Sequence, residues 1–534
     1  MVLPGQACWC KTPGNPPDSF ANQFRHAFRQ FSVALLLLAA ASSTIGVQPV
    51  SGAFSQPIGV CWGRNSWQQM PPKTVVKLLQ DNGIKRLKLF GADVDILRAL
   101  VGTDIEVAVM LQNEYLNLVA GSQKEAGKWL SNNVSPFVFP GGANIKEIAV
   151  GNEPFLQGYQ GMYEAAVVPA MRNIYSALQD SKLDDKIKLT VPLNADILGS
   201  SYPPSSGAVR DDILEDITQI ADIIKRSGGT FSINIYPFLT LHQDTSGTIG
   251  LNQVFLGQPG GQAWQVKDPT SGLKYDNIFD GAFDAVVTAL DKIGYGDLPI
   301  EIGEIGWPSD GQGDSRGYAT VDNAYRFNQA ILAHMLSGKG TPARPNQVIS
   351  GYLFALTDED RKITLAGPFE RHWGIFRTDG TPKYPLDLTG GGRNVTLKSA
   401  SGLVFYPGQW CVAKASADPE KLADAVAYAC GDQKPSDCTP AQVGGSCYFD
   451  GNTAKVATYA FNSYYQLSNQ SSGACDFKGV AEVVQSNPAQ EQCKYLLGID
   501  QAASKAAGVR LGMGVWYHHL VMVLTAVLMV AMLP

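Results

Sequence analysis

The stretch Glu147-Ile148-Ala149-Val150-Gly151-Asn152-Glu153-Pro154 is a short apolar run that opens through a glycine into a polar pair and a proline. Val and Ile favour a buried, pleated strand, and Gly and Pro end one. Seven further runs share this character, at residues 58–63, 86–91, 106–111, 188–193, 231–237, 298–307 and 350–358. Between them lie segments such as 74–82 and 163–179, whose apolar residues recur at helical spacing. Strands that alternate with helices run parallel, because each crossover helix returns the chain to the same end of the sheet. Eight such units within residues 54–388 predict a closed (β/α)8 TIM barrel. An open doubly wound sheet is the rival, yet no GxGxxG or P-loop follows any run.

The seventh run, Glu301-Ile302-Gly303-Glu304-Ile305-Gly306-Trp307-Pro308-Ser309, leaves Glu304 where a strand opens into a loop, as the fourth leaves Glu153. Chemistry in barrel enzymes collects at the C-terminal ends of strands. A carboxylate there is a salt bridge, a helix cap or a working group. Strands four and seven flank the barrel mouth from roughly opposite sides. Two facing carboxylates are what glycoside hydrolysis needs, one to protonate the departing sugar oxygen and one to attack the anomeric carbon. The first requires a raised pKa and the second stays ionised. Between the two chain ends only His242, His334 and His372 occur, far apart and without ligand spacing, so neither a metal nor a serine–histidine triad is expected, and no motif calls for a cofactor.

At 534 residues the chain exceeds one ordinary domain, and 45% hydrophobic with 17% charged residues suits folded domains. A net charge of -6 without a basic stripe argues against nucleic acid as a partner. A monomer is expected. Arg25 and Arg29 precede the apolar residues 33–41, the order of a secretory leader, assigned to 1–53. Ser51-Gly52-Ala53 offers a small-residue cleavage site, with a cut after Ser43 as the alternative. At the other end, residues 520–533 are apolar but span only about 21 Å as a helix, short of the roughly 30 Å hydrocarbon core. With Ala506-Ala507-Gly508 and a spacer upstream, residues 498–534 read as a glycosylphosphatidylinositol (GPI) anchor signal, attached at Ala506 or alternatively Ser504. A tail-anchor helix or a buried terminal helix is the competing reading.

The glycine-rich residues 389–393 begin a linker, 389–408, and read as a domain boundary or a flexible link. Six cysteines follow within 409–497: Cys411, Cys430, Cys438, Cys447, Cys475 and Cys493. An even, dense set in a small exported segment predicts three disulfides of open connectivity, and zinc lacks its CxxC pairs. Residues 418–429 read as a capped helix. Sequons stand at Asn133, Asn394 and Asn469.

Several motifs carry a resemblance. Gly59-Val60-Cys61-Trp62-Gly63, Val150-Gly151-Asn152-Glu153, Asn234-Ile235-Tyr236-Pro237, Glu304-Ile305-Gly306-Trp307-Pro308-Ser309 and Glu370-Arg371-His372-Trp373-Gly374-Ile375-Phe376 together resemble plant glycoside hydrolase family seventeen, mainly endo-β-1,3-glucanases. The resemblance implies Glu153 as acid/base, Glu304 as nucleophile and retention of configuration, with Asn152 on the sugar 2-hydroxyl. It further implies Glu359 and Lys362 as a supporting charged pair, Glu370 as a cleft acid, and Tyr236 and Trp307 as aromatic surfaces for sugar, core packing being the alternative for each. Glu301 is expected to be structural.

The cysteine-rich segment (Trp410-Cys411-Val412-Ala413-Lys414, Gly444-Gly445-Ser446-Cys447-Tyr448, Tyr459-Ala460-Phe461-Asn462) resembles the plant X8 module, which implies β-1,3-glucan binding. Tyr448, Tyr464 and Tyr465 would stack on sugar or form its core. Two departures stand out: Lys88-Leu89-Phe90-Gly91 where better-known members often have Arg-x-Tyr-Asp, and Trp62 for a common tyrosine. Neither is expected to touch the catalytic pair. The resemblance implies a secreted hydrolase of callose-like glucan, lipid-anchored at the outer face of the plasma membrane, in the cell wall and around plasmodesmata. A β-1,3-glucan transglycosylase and a non-catalytic wall-binding protein are the alternatives.

Overall fold

The computed structural model describes residues 54–256, 265–431, 433–490 and 492–506; the expected leader and the apolar tail lie outside these residues. Eight parallel strands form the central sheet: β1 (Ile58–Trp62), β2 (Arg86–Leu89), β3 (Glu106–Leu111), β4 (Asn144–Val150), β5 (Lys188–Thr190), β6 (Phe231–Asn234), β7 (Ile300–Ile305) and β8 (Gly351–Leu353). The order β5-β4-β3-β2-β1-β8-β7-β6 curls round, and Leu193–Asn194, just beyond β5, pairs parallel with β6 to close the (β/α)8 barrel. Pro192 lies between the two halves of this fifth strand and has no N–H for a ladder. The first half therefore faces β4 and the second faces β6.

The ladders stop short of the apolar runs. β4 ends at Val150, β6 at Asn234 and β7 at Ile305, so the polar residues beyond them turn into the barrel mouth. Crossover helices cover the outside. Pro72–Asp81 starts on proline and buries Val75, Val76, Leu78 and Leu79 along one stripe. Ile278–Lys292 and Val321–Leu336 are capped by Asn277 and Thr320, whose side chains accept from Asp280 and Asn323 backbone N–H groups.

Residues 389–408 do not hang free. Thr389 and Arg393 bond Asp387, the Asn82 side chain accepts from the Lys398 N–H, and Leu397 joins the apolar core of the barrel. Three glycines begin the tract, but Leu397, Ala400 and Leu403 give it enough apolar side chain to pack.

The small module pairs β9 (Trp410–Ala413) antiparallel with β10 (Ala481–Val484), packs the helix Thr453–Leu467 against β9, and packs the helix Pro419–Ala429 against that helix. Asp418 caps the first helix through the N–H groups of Glu420 and Lys421. Its disulfides join Cys411 to Cys475, Cys430 to Cys438 and Cys447 to Cys493, and Cys61 in β1 is free and buried. With so small a core, these crosslinks carry much of the module's stability by restricting the unfolded chain. The chain then returns to the barrel: Ile499 enters its apolar core, and the buried Ser504 hydroxyl accepts from the Val404 N–H at 2.9 Å.

Candidate active site

Beyond β4, Gly151 and Glu153 both take left-handed backbone conformations, with φ of 83° and 48°. For a glutamate this is strained and persists only where surrounding contacts enforce it. The Glu153 N–H donates to the Pro192 carbonyl at 2.8 Å, and the Asn113 side chain brackets Asn152 through both its N–H and its carbonyl. The turn thereby aims Glu153 across the mouth. Asn234, the last residue of β6, donates its amide to Glu153 Oε1 at 2.8 Å. Loss of surrounding water and then the negative charge of Glu304 push the Glu153 carboxyl up to about 7, against the pull of Asn234, Lys88 and Lys362.

Glu304 arrives on β7 and is buried. Its Oε1 accepts from Lys88 Nζ at 2.9 Å, and its Oε2 accepts from the Tyr236 hydroxyl at 2.7 Å. Lys88 also donates to the Gly303 carbonyl at 3.1 Å. Burial works against the Lys88 charge, but Glu304 beside it leaves its pKa raised. Burial and Glu304 together hold the Tyr236 phenol well above its ordinary range, so it stays a proton donor. Lys88 therefore does touch one member of the candidate pair, Glu304, contrary to the expectation for this departure. The signal was present in sequence: a lysine two residues after Arg86 in an apolar strand faces the same way, into the barrel.

Glu359 stands beside this pair, accepting from the Asn65 N–H at 2.9 Å. Gly63 makes room for it, since a Cβ at that position would lie 2.0 Å from Glu359 Oε1. Lys362 pairs with Glu370 at 2.8 Å rather than with Glu359, and its ammonium lies 4.5 Å from the centre of the Phe354 ring. Asn152 Oδ1 is buried without a hydrogen-bond partner. A buried acceptor left open in a cleft is costly unless a ligand hydroxyl completes it.

Trp307 is corrected. It is fully buried, packed on Phe238, Phe255 and Phe327, and its indole N–H donates to the Tyr318 carbonyl at 2.9 Å. No face of it is open to a sugar. Tyr236 packs edge-on against Trp373 and Phe354, and its hydroxyl serves Glu304. Sequence reasoning also missed Asn234 as the partner of Glu153. In the module Tyr465 belongs to the core, whereas Tyr448 is exposed and Tyr464 stacks edge-on with exposed Tyr428. Asn394 and Asn469 are exposed, while the Asn133 amide donates to the Trp129 carbonyl at 2.9 Å. Among the described residues no cluster of three or more His, Cys, Asp or Glu could hold a metal.

Known proteins match this architecture part for part. Residues 58–388 match glycosyl hydrolases family 17, and residues 409–482 match the X8 domain. The chain belongs to glycosyl hydrolases family 17. Within that family it is 42% identical over 455 residues to an Arabidopsis thaliana protein named glucan endo-1,3-beta-glucosidase 8, covering 84% of this chain and 90% of the relative. Glucan endo-1,3-beta-glucosidase 5 of the same plant is 41% identical, over 85% of this chain and 90% of its own. Among solved structures, the Cryptomeria japonica pollen allergen CJP38, described as a beta-1,3-glucanase, superposes with a TM-score of 0.57 at 35% identity, over 62% of this chain and 99% of that one. A plant beta-glucan endohydrolase does so with a TM-score of 0.54 at 29% identity, over 61% and 99%.

Proposed function

We propose that this family 17 hydrolase cleaves β-1,3-glucan internally with retention, Glu153 acting as acid/base and Glu304 as nucleophile. The observation that carries the reading is the contrast between the two carboxyls. Glu153 is pushed up to about 7, so it can hold a proton near neutrality, while Glu304 accepts from an ammonium and a phenol. With a glucan bond between them, Glu153 protonates the departing oxygen while Glu304 attacks the anomeric carbon to form a glycosyl ester. Glu153, now ionised, takes a proton from water, whose oxygen displaces Glu304 and restores the original configuration. Retention expects the carboxyl groups about 5–5.5 Å apart. Asn152 would accept from the 2-hydroxyl of the reacting sugar through its open Oδ1. The names of the relatives, glucan endo-1,3-beta-glucosidases and a beta-1,3-glucanase, support this linkage.

The X8 module takes the same polymer in this reading, with Tyr428, Tyr464 and Tyr448 as its accessible aromatic surface. Export, a GPI anchor and a place in the cell wall near callose at plasmodesmata complete the proposal. No helix among the described residues is long and apolar enough to cross a membrane. Ala506 is exposed whereas Ser504 is buried and hydrogen-bonded, which favours Ala506 as the attachment site. The test is product analysis on linear β-1,3-glucan for wild type and Glu304→Ala. Short oligosaccharides from wild type and none from the variant support the hydrolase. Products longer than the substrate point to transglycosylation, and binding without turnover points to a glucan-binding wall protein.

A further inference from the structure

The X8 module rests on loops that follow β1, β7 and β8, the end of the barrel that carries the catalytic pair. Gln68 donates to the Gln466 carbonyl at 3.0 Å and accepts from the Ile499 N–H at 2.7 Å. The Ser446 N–H donates to Asp310 at 2.8 Å, and the Ser446 hydroxyl donates to the same carboxylate. A cavity of about 150 Å³ between the two parts is lined by Asp358, Asp360, Lys383 and His372 from the barrel and by Asp437 and Tyr459 from the module. Directed polar bonds fix the orientation here, since each buried partner must find its mate.

One of these bonds leads straight to the catalytic loop. Arg371 Nη1 donates to Asp437 Oδ1 at 3.0 Å, while Arg371 Nε donates to the Lys362 carbonyl at 3.0 Å. The Arg371 carbonyl also accepts from the Glu359 N–H at 3.2 Å. Arg371 thus ties together both ends of the loop that presents Glu359, Lys362 and Glu370, and the module holds the free end of its guanidinium. Asp437 is itself preset: it accepts from the Thr439 hydroxyl at 2.6 Å and sits next to Cys438 in the short loop closed by the Cys430–Cys438 disulfide. The Thr439 hydroxyl in turn meets His372 Nε2 at 2.6 Å.

We infer that the X8 module is a working part of the hydrolytic site, with Asp437 acting through Arg371 as a positioning residue for Lys362 and Glu370. This rests on the hydrolase reading above. A module that only tethered the enzyme to polymer would raise local concentration and leave turnover of a soluble substrate untouched. A module that positions the loop alters turnover itself.

The discriminating experiment measures kcat, KM and the pH profile of the full chain on a soluble β-1,3-linked tetrasaccharide. Asp437→Asn is expected to lower kcat by about tenfold with KM changed by no more than about twofold, because the loop is misplaced rather than the substrate lost. Lys362 lowers the Glu153 pKa, so its displacement moves the basic limb to higher pH, a change that a smaller folded fraction cannot produce. Asp437→Glu, which keeps the charge, recovers most of kcat. Should Asp437→Asn not fold, Thr439→Val reads the same network with a smaller change in the same direction. Wild-type kcat and an unmoved limb in folded Asp437→Asn or Thr439→Val overturn the inference. A wild type without turnover on tetrasaccharide and on polymer withdraws the hydrolase reading, and the inference falls with it.

Discussion

The barrel contains two carboxylate pairs built from the same two strands, and only one faces the cleft. Deeper in the barrel lie Glu147 of β4 and Glu301 of β7; at the mouth lie Glu153, just beyond β4, and Glu304, near the end of β7. β2 supplies one cation to each pair, Arg86 to Glu301 and Lys88 to Glu304, two residues apart and on one strand face. In each pair burial and the partner's charge push the second carboxyl up, Glu147 as well as Glu153. The electrostatics are therefore nearly alike. Access separates them: Arg86 is sealed between Phe54 at 3.8 Å and Tyr352 at 4.3 Å, and Glu147 is buried, whereas Glu153 is half-buried beside an open acceptor on Asn152. A perturbed carboxyl marks a site only where a substrate can reach it.

This comparison is breakable. Glu304→Gln removes the proposed nucleophile and should lower kcat by about three orders of magnitude or more, read by single-turnover kinetics. Glu301→Gln should do the opposite kind of damage. It strands the Arg86 charge in the barrel and costs about 3–5 kcal/mol in denaturant unfolding, while the folded protein keeps its kcat. A large loss of kcat in folded Glu301→Gln would erase the distinction between the two pairs. Lys88→Met sharpens it, because the cation beside the proposed nucleophile should be worth about 10²-fold in kcat.

Much of this was legible in sequence. Eight apolar runs gave the barrel, since strand and helix periods differ plainly, and the two glutamates stood out where those runs open into loops. Strand ends were read too long: after Asn234, Ile235 and Tyr236 remain strand-like by type while the backbone turns into the mouth, and β4 stops at Val150, where Gly151 breaks the run. Trp307 was ambiguous because an aromatic near a candidate nucleophile suits sugar stacking and core packing equally, and only the cage of Phe238, Phe255 and Phe327 decides. Strand spacing from Arg86 shows that Lys88 faces into the barrel, but its partner Glu304 lies 216 residues away on β7, and no local pattern names that partner. The tract 389–408 looked like a free linker because glycines dominate its start, yet Leu397 further along anchors it.

Two smaller effects depend on pH. Glu153 must carry its proton to act as acid, so kcat/KM should fall as pH rises through about 7, and a limb well below that value would place the acid elsewhere. Asp360, at the contact with the X8 module, is also pushed up to about 7, chiefly by burial and despite the Trp67 N–H it accepts. Its folded value lies above its unfolded one, so its contribution to stability is full below about pH 4 and is lost as pH rises through about 7. Asp360→Asn should therefore flatten this part of the stability curve in melts taken across that window. An unchanged slope would show that Asp360 titrates normally.

The central claim is that Glu304 attacks sugar carbon while Glu153 handles the proton. The direct measurement is to trap the glycosyl-enzyme with a 2-deoxy-2-fluoro β-glucosyl substrate extended by β-1,3-linked glucose, then map the labelled peptide by mass spectrometry. The account predicts a single ester on Glu304, absent from Glu304→Gln. An ester on Glu153, Glu359 or Glu370, or steady hydrolysis that releases the α-anomer first with no ester formed, contradicts it.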